Sequence, residues 1–262
     1  MEGSHEPVKP SPEGGGELKP GDPIHPFRPP GLEMIMGLGL FFSIMMVWFT
    51  AQAIAFTQHP QVVAASAEAP LGDVAEAFET HGDVVGFVGV WGHGSAALVL
   101  LLFLRLWKRK HTGQFLGTKA PTLKPALLWT GIFVLLAILL EVMVQLIPEL
   151  QTDYMVELIG SASQPIWLFM GACVAAPVFE ELAFRGLLIG SLRHVIDKHA
   201  AIAIASGVFT MLHIQYPWPI LLTQVLPLAV VLGYARTESG SIWLPIGLHV
   251  LANSASMLLT EV

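Results

Sequence analysis

Charge is scarce in this chain: 13% of its 262 residues are Asp, Glu, Lys or Arg, where a soluble domain carries about 25%. That balance argues against an ordinary water-soluble globule. Cysteine is scarcer still. The single Cys173 excludes an intrachain disulfide framework and a cysteine-based metal site. Neither a G-x-S-x-G nor an H-E-x-x-H pattern occurs, and no internal repeat is visible. The formal net charge of −7 says little by itself, because the charges are segregated by loop.

What the chain has in abundance is apolar length. It is 53% hydrophobic with a mean hydropathy of +0.63, and the apolar residues gather in runs long enough to cross a hydrocarbon core of about 30 Å as helices. Backbone N–H and C=O groups in lipid must be paired within the segment, so such runs are helical. The expected fold class is all-α: a polytopic transmembrane bundle of about seven spans, at 34–56, 84–107, 125–147, 165–192, 199–214, 218–235 and 242–259. A short amphipathic stretch at 71–80 reads as a helix lying at the surface. Residues 1–30 are rich in Pro, Gly and charge, with no apolar period, and read as a disordered tail rather than a signal peptide. The remaining 31–262 form one transmembrane domain. Trp91, Trp107, Trp129, Trp167, Trp218 and Trp243 are expected in the core or at the bilayer interface. The pairs Gly37/Gly39 and Gly86/Gly89 are expected where helices approach closely.

Lys and Arg set the orientation of such a bundle. The connections 57–83, 148–164 and 215–217 contain none of the thirteen. All but Arg185 fall before the first span, around the second-to-third connection, or in the fourth-to-fifth and sixth-to-seventh connections. With seven spans every basic loop lies on one side. That side is expected to be cytoplasmic, with the N-terminus inside and the C-terminus outside, in a prokaryotic inner membrane.

Ionisable residues inside spans cost roughly 2.5–3.5 kcal/mol each to insert and are functional by default. Here they are His93, Glu141, Glu180, Glu181, Arg185, His213 and His249, joined by Asn253. Glu181 and Arg185 are four residues apart on one helical face, a structural ion pair. Glu180 is rotated about 100° from Glu181 and must find its partner on another helix, His213 and His249 being the candidates. His249 and Asn253 again project together. Pro177 should loosen the helix ahead of Glu180. His93 reads as a packing residue and Glu141 as interfacial or paired. A carboxylate beside an imidazole can take a proton from water, and an amide with a second imidazole can receive an oxyanion. Those parts suffice for amide hydrolysis without a Ser or Cys nucleophile.

Glu180-Glu181-x-x-x-Arg185, then Phe209-x-x-x-His213, then His249-x-x-x-Asn253, on successive hydrophobic segments, resemble the CAAX protease and bacteriocin-processing family, which includes the type II CAAX prenyl endopeptidases. Phe184-Arg185-Gly186 and the run from Arg236 to His249 resemble it too. The resemblance covers about 165–260 and implies an intramembrane glutamic endopeptidase. In that reading Glu180 and His213 activate water, His249 and Asn253 form the oxyanion hole, and Glu181 and Arg185 support them. It implies no cofactor and no nucleic-acid partner. The substrate would be a membrane-anchored protein or peptide at the lipid bilayer, reached from the cytoplasm or the inner leaflet, with the site roughly 12–20 Å deep at 1.5 Å per residue. Two other classes stay open on the same residues: a zinc peptidase using Glu180, His213 and His249 as ligands, and a non-enzymatic membrane protein such as a transporter, scaffold or immunity factor.

Overall fold

In the computed structural model residues 29–260 are described, so the expected tail over 1–30 falls almost wholly outside the described residues. Those residues are helical throughout, with no strand. The chain runs through α1 (Pro30–Gln58), the short α2 (Pro60–Ala65) and α3 (Leu71–Ala77), α4 (Gly82–Lys108), the single-turn α5 (Thr112–Leu116), α6 (Leu123–Leu146) and α7 (Tyr154–Ser161). It continues with α8 (Pro165–Leu192), α9 (Lys198–Met211), α10 (Trp218–Ser239) and α11 (Trp243–Leu259).

Each expected span coincides with a helix, and α3 is the expected surface helix. Five helices are long and apolar enough to cross a membrane: α1, α4 continued through α5, α6, α8 and α10. The chain is an integral membrane protein. Helix α11 is apolar but has 17 residues. Helix α9 has 14 residues, about 21 Å at 1.5 Å per residue, so the stretch read as a span to 214 ends sooner, at Met211. The three residues that follow form a turn, and His213 sits in it.

The local reasons are visible at the helix ends. Pro30, Pro60, Pro165 and the Pro219 turn place proline in first turns, where its missing N–H costs nothing. Asp197 caps α9 by accepting from the His199 and Ala200 amides at 2.8 and 3.2 Å. The Ala200 and His199 amides hold its carboxyl below the usual aspartate range. That cap is therefore fully present above the unfolded aspartate value and lost as pH falls through the lowered one.

Helix α8 is not a regular α-helix. Two stretches, Phe169–Ala175 and Glu181–Leu188, are wound as π-helix, and the α-helical turn Ala176–Glu180 between them holds Pro177. The loosening expected at Pro177 thus spreads to both sides of it, in the manner of the π-bulges that mark functional sites. Helix α10 carries a similar stretch at Leu221–Val225.

Helices α4 and α8 cross in backbone contact. A Cβ on Gly86 would lie 2.5 Å from the Leu168 nitrogen, and one on Gly89 would lie 2.9 Å from the Gly171 Cα. Gly37 similarly leaves room for Ser191, whereas Gly39 has nothing within 4 Å and needs no glycine for packing. Helix α6 stands at the periphery with Phe133 as its buried residue and Leu127, Leu135, Ile138 and Leu139 exposed, a face suited to lipid. Trp167 and Trp218 lie exposed near one end of the bundle and Trp243 near the other, as interfacial belts require.

Contacts between connections define the two faces. One face carries 109–122, 193–197 and 240–242, tied by Ser241 Oγ donating to the Lys119 carbonyl at 2.7 Å and Trp243 Nε1 to that of Thr118 at 2.8 Å. The other carries 59–81, 147–164 and 212–217, tied by the Gly82 amide donating to Ser161 Oγ at 2.9 Å and Gln224 Nε2 to the Leu150 carbonyl at 3.0 Å. Among the described residues every Lys and Arg except Arg185 lies at the first face, and none at the second.

Near the basic face Lys108 is wholly buried, ion-paired with Glu33 and seated 3.7 Å from the Trp107 ring centroid. Removing one member of a buried pair costs about 3–5 kcal/mol, while replacing both with apolar residues is far cheaper. Lys108→Ala should therefore sharply lower the unfolding temperature in detergent, and Glu33→Leu/Lys108→Leu should recover much of the loss. Gly171→Val should also destabilise, since its Cβ would meet the Gly86 carbonyl oxygen at 2.5 Å and overpacking costs about 1–3 kcal/mol or more.

Candidate active site

The polar residues of α8, α9 and α11 converge, and they sort into two layers by exposure. Glu181 and Arg185 are buried completely or nearly so. Arg185 Nη1 donates to Glu181 Oε1 at 2.9 Å, and Nη2 donates to the Ala229 carbonyl of α10 at 2.9 Å. The guanidinium carbon stands 4.6 Å from the Phe209 ring centroid. The sequence-derived pair is thus present, with a third helix and an aromatic face attached to it.

Glu180, one residue earlier, keeps 15% of its side chain exposed and faces a cavity of about 720 Å³. His213, His249 and Asn253 line the same cavity, so the four residues expected to carry chemistry are brought together. His249 is fixed from both sides. Its Nδ1 lies 2.8 Å from Glu181 Oε1 and its Nε2 lies 3.7 Å from Glu180 Oε2. Because Nδ1 faces a carboxylate it must carry a proton, and Nε2 points at the cavity carboxylate. His213 Nδ1 lies 2.8 Å from the Phe209 carbonyl, which accepts only. That nitrogen therefore donates, and Nε2 of the neutral ring is left as an acceptor. Asn253 Nδ2 donates to the Ala172 carbonyl in α8 at 2.9 Å. That carbonyl lies within the π-wound stretch.

Phe209 organises the imidazoles. Its ring centroid is 4.4 Å from that of His213 and 5.9 Å from that of His249. The motif phenylalanine is therefore a packing post between the Arg185 guanidinium and both rings.

His93, read as a packing residue, packs as expected and also forms part of the cavity wall. His93 of α4 lines the cavity beside Glu180. It packs against Phe179 and Trp48, with centroids 5.7 and 5.5 Å away, and its Nδ1 lies 3.0 Å from the Gly89 carbonyl. Its only signal in the sequence is an ionisable side chain inside a span. Glu141, by contrast, takes a hydrogen bond from Gln145 at 2.9 Å on the exposed side of α6 and does not line the cavity. Among the described residues no group of three His, Cys, Asp or Glu side chains is arranged to hold a metal ion.

The comparisons with known proteins meet this geometry. Residues 162–255 match the family described as type II CAAX prenyl endopeptidase Rce1-like. The segment contains every motif residue from Glu180 to Asn253. Over this segment the chain is similar to that family. The matched segment lies within the all-helical bundle. The chain is also similar to an uncharacterized 24.3 kDa protein of Escherichia coli, 25% identical over 182 residues, which are 64% of this chain and 79% of that protein. No solved structure matches the chain.

The two layers of the site predict different losses. Glu181→Gln leaves Arg185 buried without its counter-charge, which costs about 3–5 kcal/mol, and should lower the unfolding temperature strongly. Glu180→Gln faces the cavity and should unfold near the wild-type temperature. Thermal unfolding in detergent, followed by circular dichroism, checks both.

Proposed function

We propose that the chain is an intramembrane endopeptidase that hydrolyses a peptide bond of a membrane-associated protein or peptide, with Glu180 as general base. The observation that carries this reading is the division between two adjacent carboxylates. Glu181 is sealed and bound to Arg185 and His249, while Glu180 is open to a cavity that His213, His249 and Asn253 share. The family match over 162–255 supports it.

The chemistry follows from the groups present. A water in the cavity donates one hydrogen bond to Glu180 and one to the free Nε2 of His213. Glu180 takes a proton as the water oxygen bonds to the scissile carbonyl carbon, and the carbonyl π electrons move onto oxygen. His249, protonated on Nε2, and the second Nδ2 hydrogen of Asn253 donate to that oxyanion. When the tetrahedral intermediate collapses, the C–N bond breaks and Glu180 returns its proton to the leaving nitrogen. The products are a carboxyl and an amine, one water having been consumed. General-base assistance contributes about 10²–10⁴-fold, and one oxyanion donor about 10²–10³-fold.

Purified protein assayed with an internally quenched peptide library tests the scheme. Glu180→Gln should reduce turnover by about 10²–10⁴-fold, and Asn253→Ala by about 10²–10³-fold, both with intact folding. Chelation should leave the wild type active. Full activity of Glu180→Gln would sink general-base chemistry, and stoichiometric zinc with loss of activity on chelation would sink the metal-free scheme.

A further inference from the structure

The exposed polar residues that line the cavity do not lie on the basic face. The outer wall of the cavity is built from Glu79 beside α3, Thr152 and Tyr154 at the start of α7, and Gln215 and Tyr216 after α9; Glu79, Thr152 and Gln215 are exposed. All five belong to the connections 59–81, 147–164 and 212–217. At the inner end the lining residues Phe184, Phe209 and His249 are buried, and behind them lies the sealed Glu181–Arg185 pair. The basic residues of 109–122 and 193–197 contribute nothing to the lining. The lining thus favours access from the face opposite the Lys and Arg residues.

The open face is acidic. Glu68, Asp73, Glu76, Glu79 and Asp83 lie in or beside one connection, and Glu149, Asp153 and Glu157 in another, with no Lys or Arg in either. Their charge reaches the mouth. Burial first, and then Glu79, pushes the Tyr154 phenol up; burial first, and then Tyr154 and Glu180, pushes Tyr216 up. The two phenols thus stay neutral, their rings edge to face with centroids 5.5 Å apart. Basic loops stay in the cytoplasm, whereas acidic ones cross with little penalty. A mouth lined by one sign of charge also concentrates ligands of the other sign.

We infer that the site is served from the extracytoplasmic side of the membrane and selects cationic peptide segments at the outer surface. This rests on the peptidase reading for the cutting, and on the charge distribution for the side. A cavity of about 720 Å³ admits a short extended stretch and no folded domain, so the substrate is a flexible, Lys- or Arg-bearing segment next to a membrane anchor.

Two measurements test it separately. Ser66→Cys in the 59–81 connection and Ala120→Cys at the basic face, each in a Cys173→Ala background, are treated with a membrane-impermeant maleimide in intact cells. Ser66→Cys should react and Ala120→Cys should react only after lysis; the reverse pattern overturns the inference. Protein in proteoliposomes of neutral phosphatidylcholine, sorted by the same labelling into its two orientations, is then given quenched peptide libraries matched except for charge. Cleavage should occur with the acidic face outward and favour cationic over anionic peptides by about tenfold or more. That preference should shrink with added salt and in Glu79→Gln. Cleavage only with the basic face outward, or equal cleavage of both libraries, overturns the inference while leaving the peptidase reading intact. Cleavage in neither orientation overturns the peptidase reading, while the maleimide pattern still decides the side.

Discussion

A carboxylate carried into an apolar bundle has to have its charge answered there, because desolvation costs several kcal/mol per ion and a lone buried charge is worse than a paired one. At Glu181 a single oxygen, Oε1, meets both Arg185 at 2.9 Å and His249 at 2.8 Å. Three helices are thereby held together: α8 supplies the acid and the arginine, α11 the imidazole, and α10 the Ala229 carbonyl that takes the second guanidinium hydrogen bond. The orientation of His249 follows, since with Nδ1 committed to Glu181 its Nε2 can only face Glu180. One buried contact therefore both stabilises the bundle and aims a ring at the cavity. In the proposed mechanism Glu181 acts through His249, as a positioning residue.

The winding of α8 makes the arrangement possible. An unbroken α-helix from Pro165 to Leu192 would bond each carbonyl along the helix itself. The π-wound stretches on both sides of Pro177 change that pattern, and the Ala172 carbonyl receives the Asn253 amide at 2.9 Å. Helix irregularity is tolerated in a membrane only where protein or a polar cavity re-satisfies the backbone, and here both do. The cost is offset by close approach elsewhere. Gly86 and Gly89 let α4 lie against Gly171, which brings His93 and Trp48 up to Phe179 beside the site.

Much of this was legible in the residues because membrane burial narrows the alternatives. Few ionisable groups sit inside spans, so their helical spacing alone separated Glu180 from Glu181 and paired Glu181 with Arg185, and the coordinates agree. The span positions were legible from apolar length. Three things were not. The end of α9 at Met211 depends on a turn that packs His213 against Phe209, and hydropathy does not see it. The link between His249 and Glu181 joins residues 68 apart in the chain, and no local spacing encodes it. The direction of the cavity depends on how residues from separate connections come together around it, a tertiary property. Helical depth counted from both ends of a span is nearly symmetric for a residue near its middle, so Glu180 gave no indication of which face the cavity would reach.

The four residues proposed to perform chemistry lie in one part of the chain, and much of the cavity wall comes from another. Glu180, His213, His249 and Asn253 all lie within 162–255, the segment matched to the CAAX protease family. Trp48, Gln52, Phe78, Glu79, His93 and Tyr154 of the same cavity lie before it. A catalytic constellation must keep its geometry to a fraction of an ångström, whereas the wall facing the substrate needs only a shape and a charge. In the proposed mechanism, selectivity is therefore shared between the cavity residues that precede 162 and Gln215 and Tyr216, around a centre carried by α8, the turn after α9, and α11. The acidic connections belong to that outer part too. The Lys and Arg residues, which set orientation in a membrane, and the acidic connections therefore occupy opposite faces of the bundle.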